Sequence, residues 1–216
     1  MRLCSSVEPS LKAAGSTLEQ SLKAQVYIRG VNNFPDFIDV WSQYFRDIPC
    51  AVTLVPAKDY SSIESMLEIN LIALRTGATR RKQVVDVDIP ALASYGPCVR
   101  AGELVFPSGL MALSRDGRVP AADDAAAFDA IGLTGQAQGA LVHAYAEAVC
   151  KAVGVSIANV VRAQYFLTDI RDFAGIATTW SDRFGKQPHP FATVQVPGPL
   201  PSNGAAVVGD FWIYAG

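Results

Sequence analysis

The chain of 216 residues carries a formal net charge of −2; half of its residues are hydrophobic and 18% are charged. This composition supplies ample apolar material for a core and for contacts between subunits, and it excludes the overall basic footprint of a nucleic-acid-binding protein. The four cysteines lie far apart and form no CxxC pair, which favours reduced thiols over a disulfide framework. The N-terminal segment is too short and too polar for a signal sequence or a membrane span, so we expect a cytoplasmic protein.

The first 75 residues predict alternating helices and strands. Apolar residues at helical spacing indicate helices, and clusters of β-branched and aromatic residues indicate strands. We expect, in order, a helix ending at Ala14, a strand at Leu22–Ile28, a helix at Phe34–Phe45, and strands at Ala51–Val55 and Ser65–Leu74.

Residues 76–83 are predicted to be a linker, in which Arg80, Arg81 and Lys82 follow one another. A basic triplet in a linker is usually solvated, and contact with an anion or with RNA is the alternative.

Residues 84–216 predict a longer succession of elements. Gly154 and Gly185 are placed to end its two helices. We expect strands at Val84–Ile89, Tyr95–Arg100 and Glu103–Pro107, a helix at Gln136–Val153, a strand at Ala158–Leu167, a helix from Asp169 to Phe184, and strands at Phe191–Val196 and Ala205–Tyr214. The order β-β-β-α-β-α-β-β predicts an α+β sandwich, with two helices on one face of a mixed sheet.

Residues 13–45 and 152–184 are two versions of one segment, offset by 139 positions. Eight positions are identical, among them Gly15/Gly154, Gln25/Gln164 and Trp41/Trp180. Internal similarity of this kind indicates repeated structural units. The sequence therefore predicts a complete unit at 84–216 and a partial unit at 1–75 that lacks the three leading strands.

Three segments of the second unit resemble motifs of the RidA (YjgF, or L-PSP) family. Residues 99–109, VRAGELVFPSG, resemble the family hairpin VRAGDLVFVSGQ; residues 163–173, AQYFLTDIRDF, resemble VTVYLTDMxDF; and residues 189–196, HPFATVQV, resemble PPARTTVEV. Residues 8–74 resemble the same family from its first helix onward. The resemblance covers nearly the whole chain, and the two units resemble longer bacterial RidA-like proteins with two fused copies.

The resemblance implies a chorismate-mutase-like fold that forms trimers, with ligand clefts between subunits. The family's best-known activity is the hydrolysis of reactive enamines and imines to ketoacids and ammonia. In that reaction an arginine grips the substrate carboxylate bidentately. Backbone groups and a glutamate position the attacking water.

This chain departs from the family pattern at the residues that matter most. The arginine position falls on Ala192 in the second unit and on Ala51 in the first. The glutamate position falls on Val207 in an ungapped alignment, whereas Glu68 of the first unit matches the family. We therefore expect a cleft without its carboxylate anchor, because an apolar pocket cannot replace a guanidinium.

Some other positions of the expected cleft carry the residues that are typical of the family, and further candidate residues lie beside the cleft. His189, between two prolines, is either a general base or, more commonly for such a residue, a solvated loop histidine. No catalytic residue, metal site or cofactor is predicted, since two histidines without matched carboxylates do not form a metal site. The residues expected to bind a ligand are Tyr95, Ser108, Gly109, His189, Phe191, Ala192 and Glu68.

Two functions are left open by the sequence. One is a RidA-family small-molecule-binding protein with a degenerate inter-subunit cleft, non-catalytic or weakly active. The other is an enamine or imine hydrolase acting on a substrate that the usual arginine does not anchor. Either would be a trimer-like homo-oligomer that binds a metabolite, with neither nucleic acid nor membrane as a partner.

Overall fold

A computed structural model describes residues 4–58, 65–90, 98–116, 119 and 134–216, with the side chains of the first helix given from residue 7 onward. Four helices and nine strands are present among these residues. In chain order they are α1 (Cys4–Ala13), β1 (Ser21–Arg29), α2 (Phe34–Phe45), β2 (Ala51–Ala57), β3 (Leu67–Ala73), β4 (Lys82–Val84), β5 (Cys98–Ala101), β6 (Leu104–Pro107), α3 (Thr134–Ala152), β7 (Val160–Leu167), α4 (Phe173–Phe184), β8 (Phe191–Gln195) and β9 (Val207–Tyr214).

The first three strands form the N-terminal sheet, in the order β2-β1-β3. The central strand β1 runs parallel to β2 and antiparallel to β3. Helix α2 covers one face because four of its aromatic side chains recur every three or four residues and are buried. These are Phe34, Phe37, Trp41 and Phe45.

The other six strands form the C-terminal sheet, in the order β4-β5-β6-β9-β7-β8. Helices α3 and α4 cover one face and bury Val142, Ile176 and Trp180 against it. The two helices approach closely at Gly175, where an added Cβ would lie 2.5 Å from the backbone nitrogen of Gln136. A glycine is therefore required at this contact.

The structure confirms the α+β class and the order of elements predicted for residues 84–216, but it corrects the strand predicted at Val84–Ile89. The strand is Lys82–Val84, and it pairs with β5. Beyond it the chain leaves the sheet, and Val87 packs into the core beneath the helices instead of continuing the ladder. The alternation of valine and aspartate beyond Val84 therefore reflects burial of one side of the segment, and no strand among the described residues pairs with it.

The two sheets share a pattern of strand pairing. In each, a central strand is flanked by one parallel and one antiparallel neighbour: β2-β1-β3 in the first, β8-β7-β9 in the second. Both central strands shift register at their start, between Ser21 and Lys23 and between Val160 and Arg162, and these positions are 139 apart.

The faces that the helices leave uncovered pack against each other. Two apolar clusters join the sheets, one around Tyr27, Val55, Phe166 and Val208, the other around Ala51, Phe106 and Trp212. A layer of polar side chains lies on the same faces, and this layer is the starting point for the site.

Candidate functional site: the junction of the two sheets

Ser108 and Gly109, which follow β6, lie directly against strand β2. The backbone nitrogen of Gly109 donates to the carbonyl of Val52 at 2.9 Å, and the nitrogen of Val52 donates to Ser108 Oγ at 3.0 Å. A Cβ added at Gly109 would lie 3.1 Å from the Thr53 methyl group and 3.0 Å from Val208. This turn is therefore closely packed against β2 at Gly109.

A buried ion pair joins the two sheets beside this contact. Lys23 on β1 and Asp210 on β9 are 3% and 1% exposed, and Lys23 Nζ lies 3.1 Å from Asp210 Oδ1. The ammonium also donates to Thr53 Oγ1 at 2.7 Å and to the carbonyl of Pro107 at 2.6 Å. Burial of a charge is costly unless the charge is paired and hydrogen-bonded, and Lys23 meets both conditions.

Gln25 and Gln164, which are 139 positions apart in the sequence, meet in the same layer. Gln25 Nε2 donates to Gln164 Oε1 at 3.2 Å and to Asp210 Oδ2 at 2.9 Å. Arg162 donates to Gln164 and lies 3.5 Å from Asp210 Oδ2. We call Lys23, Gln25, Thr53, Arg162, Gln164 and Asp210 the polar layer.

Strand register corrects two equivalences drawn from the sequence. Ala192 is opposite Gln164 on β7, and Thr53 is opposite Gln25 on β1, so Thr53 rather than Ala51 corresponds to Ala192. In the polar layer, Thr53 therefore occupies the position that the sequence had assigned to Ala51.

The second correction concerns the glutamate. Glu68 is opposite Tyr27, and Val208 is opposite Phe166. Val208 rather than Val207 therefore corresponds to Glu68, because β9 is displaced by one residue relative to the offset of 139. Glu68 itself is exposed on β3, at the edge of the N-terminal sheet.

Phe191 and Ala192 lie far from Ser108 and Gly109 within the chain. Strand β8 is at the edge of the C-terminal sheet, three strand spacings or about 14 Å from β6. As neighbours in a strand the two residues point to opposite faces. Ala192 shares the face of the polar layer, and Phe191 packs on Phe173 of α4, with ring centroids 4.6 Å apart.

His189 is not a solvated loop residue, because it is half-buried in an aromatic cluster. Its ring stacks on Trp180 with a centroid distance of 4.0 Å and an interplanar angle of 4°. Its Nε2 lies 2.7 Å from the hydroxyl of Tyr165. Stacking and this hydrogen bond fix the imidazole at the start of β8, next to Phe191.

The same tyrosine connects His189 to a second, fully buried histidine. Tyr165 Oη lies 2.9 Å from His143 Nε2, and His143 Nδ1 lies 3.0 Å from Thr179 Oγ1. The threonine hydroxyl donates to the carbonyl of Ile176, so it accepts from His143 Nδ1–H. Tyr165 then donates to His143 Nε2 and accepts from His189 Nε2–H, and every donor in the chain has an acceptor.

Both imidazoles are neutral in the folded protein. Burial lowers the pKa of His143 to about 3, with smaller contributions from His189 and Arg183, and burial lowers the pKa of His189 to about 4. Neither ring therefore supplies a positive charge for a carboxylate near pH 7. A neutral imidazole can exchange a hydrogen bond or accept a proton.

The three cysteines whose side chains are described are buried free thiols: Cys50, Cys98 and Cys150. Burial raises the pKa of each to about 12, so the nucleophilic thiolate form is suppressed. These thiols serve as packing groups.

Tyr95 lies outside the described residues, so its place relative to Ser108 and Ala192 stays a prediction. The sequence did not single out Lys23, Asp210 or the Tyr165–His143 contact as features of a site. The available signal was Lys23 itself, a lysine between the apolar residues Leu22 and Ala24 of a predicted strand.

Among the described residues, no group of three or more His, Cys, Asp or Glu side chains is arranged to hold a metal ion. None of the helices described combines the length and apolar character needed to cross a bilayer.

Comparison with known proteins identifies similar folds among solved structures. Solved structures similar to the chain include a protein of unknown function from Pseudomonas aeruginosa, at 25% identity and a TM-score of 0.52, covering 63% of this chain and 94% of that one. RidA from an Antarctic Psychrobacter is 27% identical, with a TM-score of 0.50 over 61% of this chain and 98% of its own. A Rid-family protein from Yersinia pestis shares the fold. It is 21% identical, with a TM-score of 0.51, and the match covers 62% of this chain and 99% of that one.

No curated protein matches the chain. The family model described as endoribonuclease L-PSP matches residues 86–207, which is more than half of the chain. These residues include β5 to β8 and the helices between them, together with Ser108, Gly109, His189 and Ala192. The chain therefore belongs to the endoribonuclease L-PSP family.

Proposed function

We propose that the protein is a RidA-family small-molecule-binding protein whose cleft is degenerate, and that it is non-catalytic or only weakly active on imino acids. One observation carries the proposal. The position where the family resemblance places the carboxylate anchor holds Ala192, its counterpart by strand register in the N-terminal sheet is Thr53, and the buried lysine next to Thr53 is paired with Asp210. A cation already paired in this way does not offer a free charge to a substrate.

We infer that the two sheets, each with its own helices, are copies of one unit, the first without its leading strands. Their common strand pairing and register shift support this. Strand β4 pairs with β5, so the second unit begins at Lys82 and the linker is shorter than residues 76–83.

The ligand site then lies at the outer edge of β8 and not at the closely packed junction within the chain. Ala192 is exposed there, and Phe191 and Val194 are 51% and 43% exposed. Exposed apolar side chains on an edge strand favour pairing with another copy. We propose a homo-oligomer, trimer-like as the family resemblance implies, in which a second copy completes the cleft.

The second candidate is an enamine or imine hydrolase for a substrate without a carboxylate. The fixed, neutral imidazole of His189 favours it, because such a ring at the start of β8 could accept a proton from an attacking water.

Binding of a 2-oxo acid tests the loss of the anchor. We expect no saturable binding by the wild-type protein in calorimetry, and binding at least about tenfold tighter by Ala192→Arg, because a guanidinium forms bidentate hydrogen bonds with a carboxylate. Gln195→Arg is the control, since it adds the same charge to the same strand on the opposite face. Wild-type affinity equal to that of Ala192→Arg would contradict the proposal.

A further inference from the structure

A cavity of about 550 Å³ lies where the N-terminal sheet is connected to the C-terminal sheet. It is remote from Ala192 and His189, and no residue of the candidate site lines it. Its lining residues are Gln20, Gly77, Ala78, Arg80, Arg81 and Lys82. The basic triplet, expected from the sequence to be a solvated linker, therefore forms one wall of a cavity.

Lys82 is held in a fixed position at this wall. Its Nζ donates to the carbonyl of Ile48 at 3.1 Å and to the carbonyl of Glu19 at 3.2 Å. An ammonium has three N–H donors, and the third has no hydrogen-bond partner among the residues described. Partial burial lowers the pKa of Lys82, which indicates a cation that its surroundings solvate incompletely.

The two arginines add charge that the protein compensates only in part. The stem of Arg80 packs over Gly102, where an added Cβ would lie 2.6 Å from Arg80 Cδ. Its guanidinium lies 3.7 Å from the carboxylate of Glu103, and both side chains are more than half exposed. Arg81 is exposed and makes no ion pair with any other described residue.

The carboxylates that face the cavity region are few. Glu19 interacts electrostatically with Lys82 but is not within ion-pair distance of it among the contacts described, and Glu103 pairs weakly with Arg80. Three cations on consecutive residues thus face two carboxylates. The wall carries a net positive charge on a protein whose total charge is −2.

The lining also restricts the kind of anion. No aromatic residue among those that the structure describes lines the cavity, so these residues offer no stacking surface for a nucleobase. Its volume falls within the range of small-molecule sites. Arginine forks and a lysine are the groups that recognise phosphate oxygens.

We propose that this cavity is a binding site for a small phosphorylated or diphosphorylated metabolite, held through its phosphate oxygens by Arg80, Arg81 and Lys82.

Calorimetric titration of the 216-residue chain with inorganic pyrophosphate tests the proposal. We expect saturable binding that weakens as salt is added, because the contacts are exposed charges. The double variant Arg80→Gln/Arg81→Gln should bind at least about tenfold more weakly. Arg46→Gln/Arg115→Gln removes the same net charge from exposed residues outside the cavity and should bind as the wild type does.

Three results would overturn it: no saturable binding of pyrophosphate, equal weakening in both double variants, or tighter binding of single-stranded RNA with affinity that increases with its length. The last would identify the wall as a polynucleotide surface. A thermal unfolding midpoint of Arg80→Gln/Arg81→Gln close to that of wild type would show that lost binding is not lost folding.

Discussion

His143 and His189 are the chain's two histidines, and both are uncharged inside an aromatic cluster. Their positions give the protein a defined response to acid. The folded state keeps the two rings neutral, with pKa values of about 3 and about 4. The unfolded chain protonates them near pH 6.5. Below that pH the unfolded state binds more protons, so the free energy of unfolding falls as pH falls.

We expect fully buried His143 to lower the free energy of unfolding by about 2 kcal/mol between pH 7 and pH 5. Half-buried His189 contributes less, because solvent screens it. Carboxylates with a lowered pKa, such as Glu147 beside Arg183, titrate below the ordinary value of 4.5. Their effect on the free energy of unfolding therefore falls mainly below pH 5.

Urea unfolding at the two pH values measures this effect. In His143→Gln the loss between pH 7 and pH 5 should shrink by about the same 2 kcal/mol, whatever the variant's stability at pH 7. His189→Gln should show a smaller change. If the free energy of unfolding fell equally for the wild type and for His143→Gln between pH 7 and pH 5, the inference that His143 is neutral and buried would be wrong.

These residue-scale features were only partly predictable. The sequence identified His189 as lying near the cleft, but a histidine between two prolines gives no sign of the tryptophan beneath it. Trp180 and His189 lie in different elements, and only their packing shows that the ring is fixed. The contact of His143 with Tyr165, 22 residues away, likewise depends on how α3 lies on β7.

Strands β1 and β9 hold the two sheets together through the ion pair of Lys23 and Asp210. We expect Lys23→Met to lower the free energy of unfolding by about 3 kcal/mol, because among the described residues it leaves buried Asp210 with Gln25 and Arg162 as its only partners. The double variant Lys23→Met/Asp210→Asn should be less destabilised than the sum of the two single variants.

Chemical denaturation at pH 7 gives all four values. Arg115→Met, which breaks an exposed pair with Asp88, is the control and should cause no measurable change. Strict additivity of Lys23→Met and Asp210→Asn would show that the two groups do not interact.

Element boundaries and order followed from periodicity and turn residues, so the helices and most strands were predictable. Register was not. Ala51 and Thr53 both lie on the layer side of β2, and only the pairing with β1 identifies Thr53 as the counterpart of Ala192. A displacement of one residue in β9 likewise moved the glutamate position from Val207 to Val208.

At the scale of the whole molecule, the family and its α+β fold were predictable because several motifs occur in the right succession. The close packing of the junction was not predictable, because it depends on side chains from both sheets that meet around Lys23. We propose that the close packing of the junction and the missing arginine together leave the protein without a site for a carboxylate-bearing imine.

Ammonia release from imines of acidic, aliphatic and aromatic amino acids, generated in situ, tests that claim most directly. Loss of two charge-assisted hydrogen bonds costs about 3 kcal/mol of transition-state stabilisation, or about 100-fold in kcat/KM. We therefore predict a kcat/KM at least about 100-fold below that of an arginine-bearing family member in the same assay. A kcat/KM equal to that of the arginine-bearing protein would contradict the account, because the carboxylate would then need neither the arginine nor an open junction.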